Sequence, residues 1–147
     1  MIGLDTCDLR NLDILTSLTA LESAYVGWNR ISDLSPLGGK TELYRLVLRD
    51  NDITDLSGLV DLPKLRWLDL QNNSISDISP LMELNATHID LLGNPLNADA
   101  YNVYIPMLLA RDPYLQLTYD PAPEPTGLVF LATGCCVVLT RRRSLGA

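Results

Sequence analysis

The chain has 147 residues, 47% hydrophobic and 20% charged, with 18 acidic against 11 basic side chains and a net charge of −7. Without the three arginines near its C-terminus the balance is 8 against 18, or −10, which excludes electrostatic binding of nucleic acid or anionic lipid by the body of the chain. One histidine and three cysteines without framework spacing leave no zinc cluster and say nothing about redox compartment.

From the N-terminus, Met1, Ile2, Gly3 and Leu4 already occupy strand positions, with no polar segment ahead of them and no basic-then-apolar leader. A solenoid needs a capped end, so the expectation is the C-terminal part of a longer protein or a start placed too late, ahead of a stand-alone short form. An apolar frame then recurs every 22 residues, closing each time on Asn29, Asn51 or Asn73. Its copies run Leu15, Leu18, Leu21, Ala24, Val26, Asn29, Ile31, Leu34; then Leu37, Lys40, Leu43, Leu46, Leu48, Asn51, Ile53, Leu56; then Leu59, Leu62, Leu65, Leu68, Leu70, Asn73, Ile75, Ile78. One step back lies Cys7, expected as a buried substitute for asparagine; one step forward, 21 residues on, lies Asn94, a residue having been lost near Asn85-Ala86-Thr87.

This is the frame of a leucine-rich repeat. A lone coil cannot bury its leucines, so coils stack and their strands pair at about 4.8 Å. The fold expected is an α/β solenoid: a right-handed coil with a parallel sheet on the concave face and short 3-10 or helical turns on the convex face. About five coils, the first incomplete, fill residues 1–96. Where the chain leaves each strand, buried amides and carbonyls need partners, and an asparagine carboxamide supplies donors and an acceptor. Cys7, Asn29, Asn51, Asn73 and Asn94 therefore form the expected structural ladder rather than a ligand site. Asp33, Asp55 and Asp77 precede the convex turns and are expected to cap them. One carboxylate per coil falls short of the oxygens Ca²⁺ requires.

Residues 97–120 read as a C-terminal cap: a helix from Asn97 with Tyr101, Tyr104, Ile105, Leu108 and Leu109 apolar, kinked at Pro106, ended by Asp112-Pro113, then a strand through Leu115, Leu117 and Tyr119. Residues 121–126 form a proline-rich spacer, and residues 127–147 an uncharged stretch from Gly127 to Thr140 followed by Arg141, Arg142 and Arg143. Cys135 and Cys136 lie inside that stretch as small apolar residues, with lipidation a minor alternative.

The repeats resemble the short units of bacterial internalin-type surface proteins, and also those of eukaryotic protein-phosphatase regulatory subunits. Pro123, Glu124 and Pro125, the apolar stretch and the arginines resemble a PEP-CTERM sorting signal. That resemblance implies an exported protein held in the inner membrane until an exosortase-like enzyme processes it, with repeats outside and arginines cytoplasmic. The stretch departs from a comfortable span by its length, 14 residues against roughly 20. The weighed alternative is an apolar tail lying on a membrane or packing on a partner.

Catalytic chemistry has no foothold. His88 lacks metal-binding companions, Lys40 and Lys64 sit in no phosphate loop, and no nucleophile elbow supports a Ser-His-Asp set. Two glycosylation sequons, at Asn72 and Asn85, are uninformative matches. No cofactor is expected. Alternation along each strand sends Ser23, Tyr25 and Gly27, Arg45, Val47 and Arg49, Trp67, Asp69 and Gln71, and His88, Asp90 and Leu92 outward on the concave face. Tyrosine, tryptophan and arginine dominate interface energies, so Tyr25, Arg45, Arg49 and Trp67, with Trp28 at the adjacent turn, form the candidate binding patch for a protein or polysaccharide. The competing reading is a solvated strand face in which the arginines pair with Asp69 and its neighbours. The functional expectation is a non-catalytic recognition module of an exported bacterial surface or matrix protein; the alternatives are an intracellular scaffold of the phosphatase-binding type and the repeat portion of a larger enzyme.

Overall fold

A computed structural model describes residues 1–123. Within them six strands form one parallel sheet in sequence order: β1 (Ile2–Gly3), β2 (Ser23–Tyr25), β3 (Arg45–Val47), β4 (Trp67–Asp69), β5 (His88–Asp90) and β6 (Gln116–Thr118). The 22-residue period sets the register directly, placing Ala24 beside Leu46, Leu46 beside Leu68, Leu68 beside Ile89, and Ile89 beside Leu117. In β2 to β5 the central residue is buried and its two neighbours half-exposed, the alternation of a sheet with one wet face. Short 3-10 turns at Asp13–Leu15, Ser35–Leu37, Ser57–Leu59 and Ser79–Glu83 form the opposite wall. The aliphatic columns between sheet and turns make one continuous core. The fold is an α/β repeat solenoid, as the leucine frame implies.

Each ladder asparagine joins its own coil to the one before. The Asn51 carboxamide donates to the carbonyls of Val26 and Leu48 at 3.0 Å and of Arg49 at 3.2 Å, and accepts from the Ile31 amide at 2.9 Å. Asn73 repeats this with Leu48, Leu70, Gln71 and Ile53, and Asn94 with Leu70, Leu91, Leu92 and Ile75. Asn29 donates to Leu4, Val26 and Gly27 and accepts from the amides of Cys7 and Leu9. Cys7 departs from expectation: it is exposed, and its thiol reaches only the Asp5 carbonyl at 3.4 Å. A thiol cannot replace the carboxamide's paired donors, and no described coil lies on its outer side to bury it.

The aspartates of the convex turns also sit differently. The residue before each 3-10 turn is Leu34, Leu56 or Ile78, none of which makes a side-chain cap. Asp33, one position earlier, accepts from the Ser35 amide at 2.8 Å and from its hydroxyl at 2.9 Å; Asp55 with Ser57 and Asp77 with Ser79 do the same. These are Asx turns leading into the helical turn. The serine amide first, then the hydroxyl, holds the carboxyls of Asp33 and Asp55 below their ordinary value.

Successive convex turns pack closely: a Cβ on Gly58 would lie 2.6 Å from the backbone carbonyl of Leu34. Lys40, at a leucine position of the frame, is buried to 3% exposure, its ammonium donating to the Thr16 carbonyl at 2.9 Å. The cap begins where Asn97 accepts from the Ala100 amide at 2.8 Å. A π-helical turn, Ala100–Tyr104, precedes α1 (Ile105–Arg111). The expected disturbance at Pro106 thus takes the form of a wide turn before it. Pro106 lies in the first turn of α1, where a missing N–H costs least. Arg111 then clamps the cap to the last repeat, donating to the carbonyls of Met82 and Leu84.

Replacing Asn51 by alanine removes four hydrogen bonds at once and leaves the buried Ile31 amide unpaired, while the carbonyls of Val26, Leu48 and Arg49 each keep one other donor. Asn51→Ala is expected to lower the unfolding free energy by about 2–4 kcal/mol in urea titrations, more than Asn29→Ala at the more open end. Gly58→Ala is expected to cost about 1–3 kcal/mol, because the atom it meets is backbone and cannot rotate away.

Candidate functional site

On the concave face the parallel register stacks equivalent residues into columns. One contains Ser23, Arg45, Trp67, His88 and Gln116; the next contains Tyr25, Val47, Asp69, Asp90 and Thr118. In the first column the side chains assemble into a pile. The Arg45 guanidinium lies 4.3 Å from the Trp67 ring centre, and Trp67 stacks on His88 at 4.4 Å with the rings 18° apart. The Thr87 hydroxyl is 3.0 Å from His88 Nδ1, within hydrogen-bond distance. Cation–π contact and ring stacking each contribute roughly 0.5–1.5 kcal/mol, enough to hold these side chains in one arrangement ahead of any ligand.

A second cation–π pair occupies the rim. Arg49 lies 4.8 Å from the Trp28 ring centre and pairs with the Asp50 carboxylate at 3.2 Å. Asp50 in turn accepts from the Asn72 side chain at 2.9 Å. Arg49 does not pair with Asp69, as the solvated-face reading required of the arginines. Asp69 accepts instead from the Gln71 amide, while the Gln71 side chain donates to Asp90 at 2.7 Å.

Asp69 and Asp90 stand opposite each other on β4 and β5. Like charges in that relation disfavour pairing. Burial raises the Asp69 carboxyl above its ordinary value of 3.8, and the Asp90 charge adds to the rise; the Gln71 amide and Arg49 offset part of it. Every predicted concave residue therefore lies on one continuous face, except that Gly27 is buried and offers no surface. Among the described residues no group of acidic, histidine and cysteine side chains could hold a metal ion.

Two features escaped sequence reasoning. The pile of Arg45, Trp67 and His88 required knowing which rotamers meet. The other is a column of left-handed residues, Thr6, Trp28, Asp50, Asn72 and Gly93, with φ between 52° and 71°. Each immediately precedes a ladder position. Asp50, Asn72 and Gly93 are types that tolerate this conformation, and that column was the available signal. Trp28 is not such a type, yet there its indole is 48% exposed.

With this geometry in hand, the relatives are specific. A family model of leucine-rich repeats, in two copies, matches residues 41–85. The chain is a leucine-rich-repeat protein. Among solved structures, an internalin from Listeria monocytogenes aligns over 78% of this chain and 34% of its own, at 30% identity and a TM-score of 0.67. Internalin C2 of the same organism aligns over 80% of this chain and 50% of its own, at 32% identity and a TM-score of 0.67. A leucine-rich-repeat protein of Leptospira interrogans shares the fold at 22% identity and a TM-score of 0.59, over 70% of this chain and 26% of its own. This leucine-rich-repeat chain thus spans half or less of the structures it matches. A search of the curated proteins found no match.

The environment of Asp69 has a pH signature. Its carboxyl favours the proton more when folded than when unfolded, so this residue favours folding below about pH 3.8 and works against it as pH rises through the folded value. Asp69→Asn is therefore expected to raise Tm near pH 7, with the gain fading as pH falls through the raised folded value and gone below about 3.8, as followed by thermal denaturation across that range.

Proposed function

We propose that the chain is a non-catalytic recognition module that binds a protein partner through its concave face. The observation that carries this reading is the preassembled set of Arg45, Trp67 and His88 beside Trp28 and Arg49. Interface energy concentrates in such residues, and side chains already held by stacking lose less freedom on binding. Tyr25 and Val47 add apolar surface on neighbouring strands; Asp69, Gln71 and Asp90 supply a polar flank that fixes orientation.

The same reading places the module on an exported bacterial protein. The likeness to internalins supports a bacterial recognition protein, and the tail pattern supports export with retention at the membrane. Pro123 is the last described residue; Glu124, Pro125, Arg141, Arg142, Arg143 and the apolar stretch lie outside the described residues. Among the described residues no helix is long and apolar enough to cross a membrane. In this reading an exosortase-like enzyme acts near Pro123-Glu124-Pro125, and the repeats face outward.

The triple variant Tyr25→Ala, Arg49→Ala, Trp67→Ala is expected to weaken partner capture at least about 100-fold while its circular dichroism stays native. Unchanged capture would remove the concave patch from consideration. Extracts of envelope protein and of purified polysaccharide are tested separately; retention of the polysaccharide alone replaces the protein reading. Fractionation tests the tail: the full chain is expected with membranes, and a chain ending before Pro123 in the soluble fraction.

A further inference from the structure

Arg30 pairs with Asp8 at 3.1 Å and Arg49 with Asp50 at 3.2 Å. Arg66 folds back onto the carbonyls of Pro63 and Leu65, and Arg111 donates to those of Met82 and Leu84. Arg45 is different. Half-buried on β3, its guanidinium lies against the Trp67 ring and, among the described residues, makes no ion pair or hydrogen bond. A guanidinium carries five N–H donors in a planar fork that matches a carboxylate. Stacking on an indole holds that plane in place and leaves its N–H edges open.

The surroundings select the charge of the group that Arg45 can receive. Ser23 stands beside it in register on β2, half-buried, and its hydroxyl also has no partner among the described residues. In the neighbouring column Asp69 and Asp90 face each other, and their charges repel an approaching anion. Arg49 is the cation that lowers the Asp69 carboxyl; Arg45 is not among the groups that shift it. The concave face is thus divided between a free cation in one column and a carboxylate pair in the next. An incoming carboxylate has one seat, at Arg45.

The same geometry disfavours a sugar ring there. Arg45 reaches Trp67 from β3 and His88 reaches it from β5, the strands on either side of β4. Both faces of the indole are therefore taken. We propose that Arg45 is a specificity-determining residue of the concave face, binding an aspartate or glutamate side chain of a protein partner through its guanidinium fork, with Ser23 as a further donor. The inference rests on the protein-recognition reading of this face and adds the chemistry of the group recognised.

Random peptides displayed on phage are the probe, selected on the full chain and then synthesised. Each binder is expected to carry an acidic residue whose exchange for its amide weakens binding to the parent chain at least about tenfold. On Arg45→Gln, with its fold checked by circular dichroism, the same exchange is expected to change affinity by less than about twofold, because the pair is already broken. An exchange that costs as much on Arg45→Gln as on the parent overturns the proposal, since the acid is then recognised elsewhere. So do binders without an acidic residue that are lost on the Tyr25→Ala, Arg49→Ala, Trp67→Ala variant; in that case the concave face still binds and only the carboxylate assignment falls. A selection in which no binder depends on that face removes the concave-face reading, and this proposal with it. Alginate, a polyuronate, is tested in parallel. Retention on alginate that Arg45→Gln abolishes, with no acidic peptide selected, gives the seat to a polysaccharide and overturns the assignment to a protein side chain.

Discussion

A backbone that leaves a sheet at the same point in every coil strands polar groups inside an apolar stack, and the asparagine ladder is what satisfies them. Each carboxamide reaches carbonyls in its own coil and the preceding one while receiving an amide from that preceding coil. The four bonds at Asn51 or Asn73 are therefore inter-coil links as much as local ones. They hold the spacing at which leucines close the core and strands of only three residues remain paired. Among the described residues no buried side-chain nitrogen or oxygen lacks a partner.

The ladder also shapes the candidate site. To aim the carboxamide inward, the residue before it turns left-handed, as Trp28, Asp50, Asn72 and Gly93 do. That geometry throws its side chain onto the rim of the concave face. Glycine there is free of strain, and asparagine or aspartate nearly so; tryptophan bears on the order of 1–2 kcal/mol. Trp28 thus occupies a position where backbone energetics favour a small residue, and its indole gains only an Arg49 contact and partial exposure in return. Strain of this kind persists where surrounding structure over-determines it, and here the Asn29 bonds on the following residue do so.

What the sequence disclosed followed from periodicity. Equal spacing of Leu46 and Leu68 dictates their register, and the single-residue loss before Ile89 leaves that register intact because it falls in the connection near Asn85. The cap strand through Leu117 was legible from alternation alone. Long-range and rotameric facts were not. Lys40 reads as a surface residue by type, yet its frame position buries it, and only the coil carrying Thr16 provides the acceptor. Cys7 matches the ladder by spacing but lies exposed. Arg111 at the helix end gives no hint that its partners are carbonyls of Met82 and Leu84, more than twenty residues away. The Arg45, Trp67 and His88 pile is legible as a column and illegible as a contact, since alternation says which way side chains leave but not how they lean.

The cap bears on the site as well as on the end of the core. Without β6, β5 would be the edge strand, and His88 and Asp90 would sit on a row of unpaired backbone groups. Instead Gln116 and Thr118 flank them in register, and the Leu91 amide donates to the Thr118 carbonyl. Asp120 accepts from the Gly93 amide at 2.6 Å, securing the last left-handed turn. His88 can then serve as a fixed support for Trp67 rather than a fraying terminus. The rigidity of the aromatic pile in the middle of the sheet is inherited from the bonds that close its far end, so loosening the cap should be felt first at His88 and only afterwards in the leucine core.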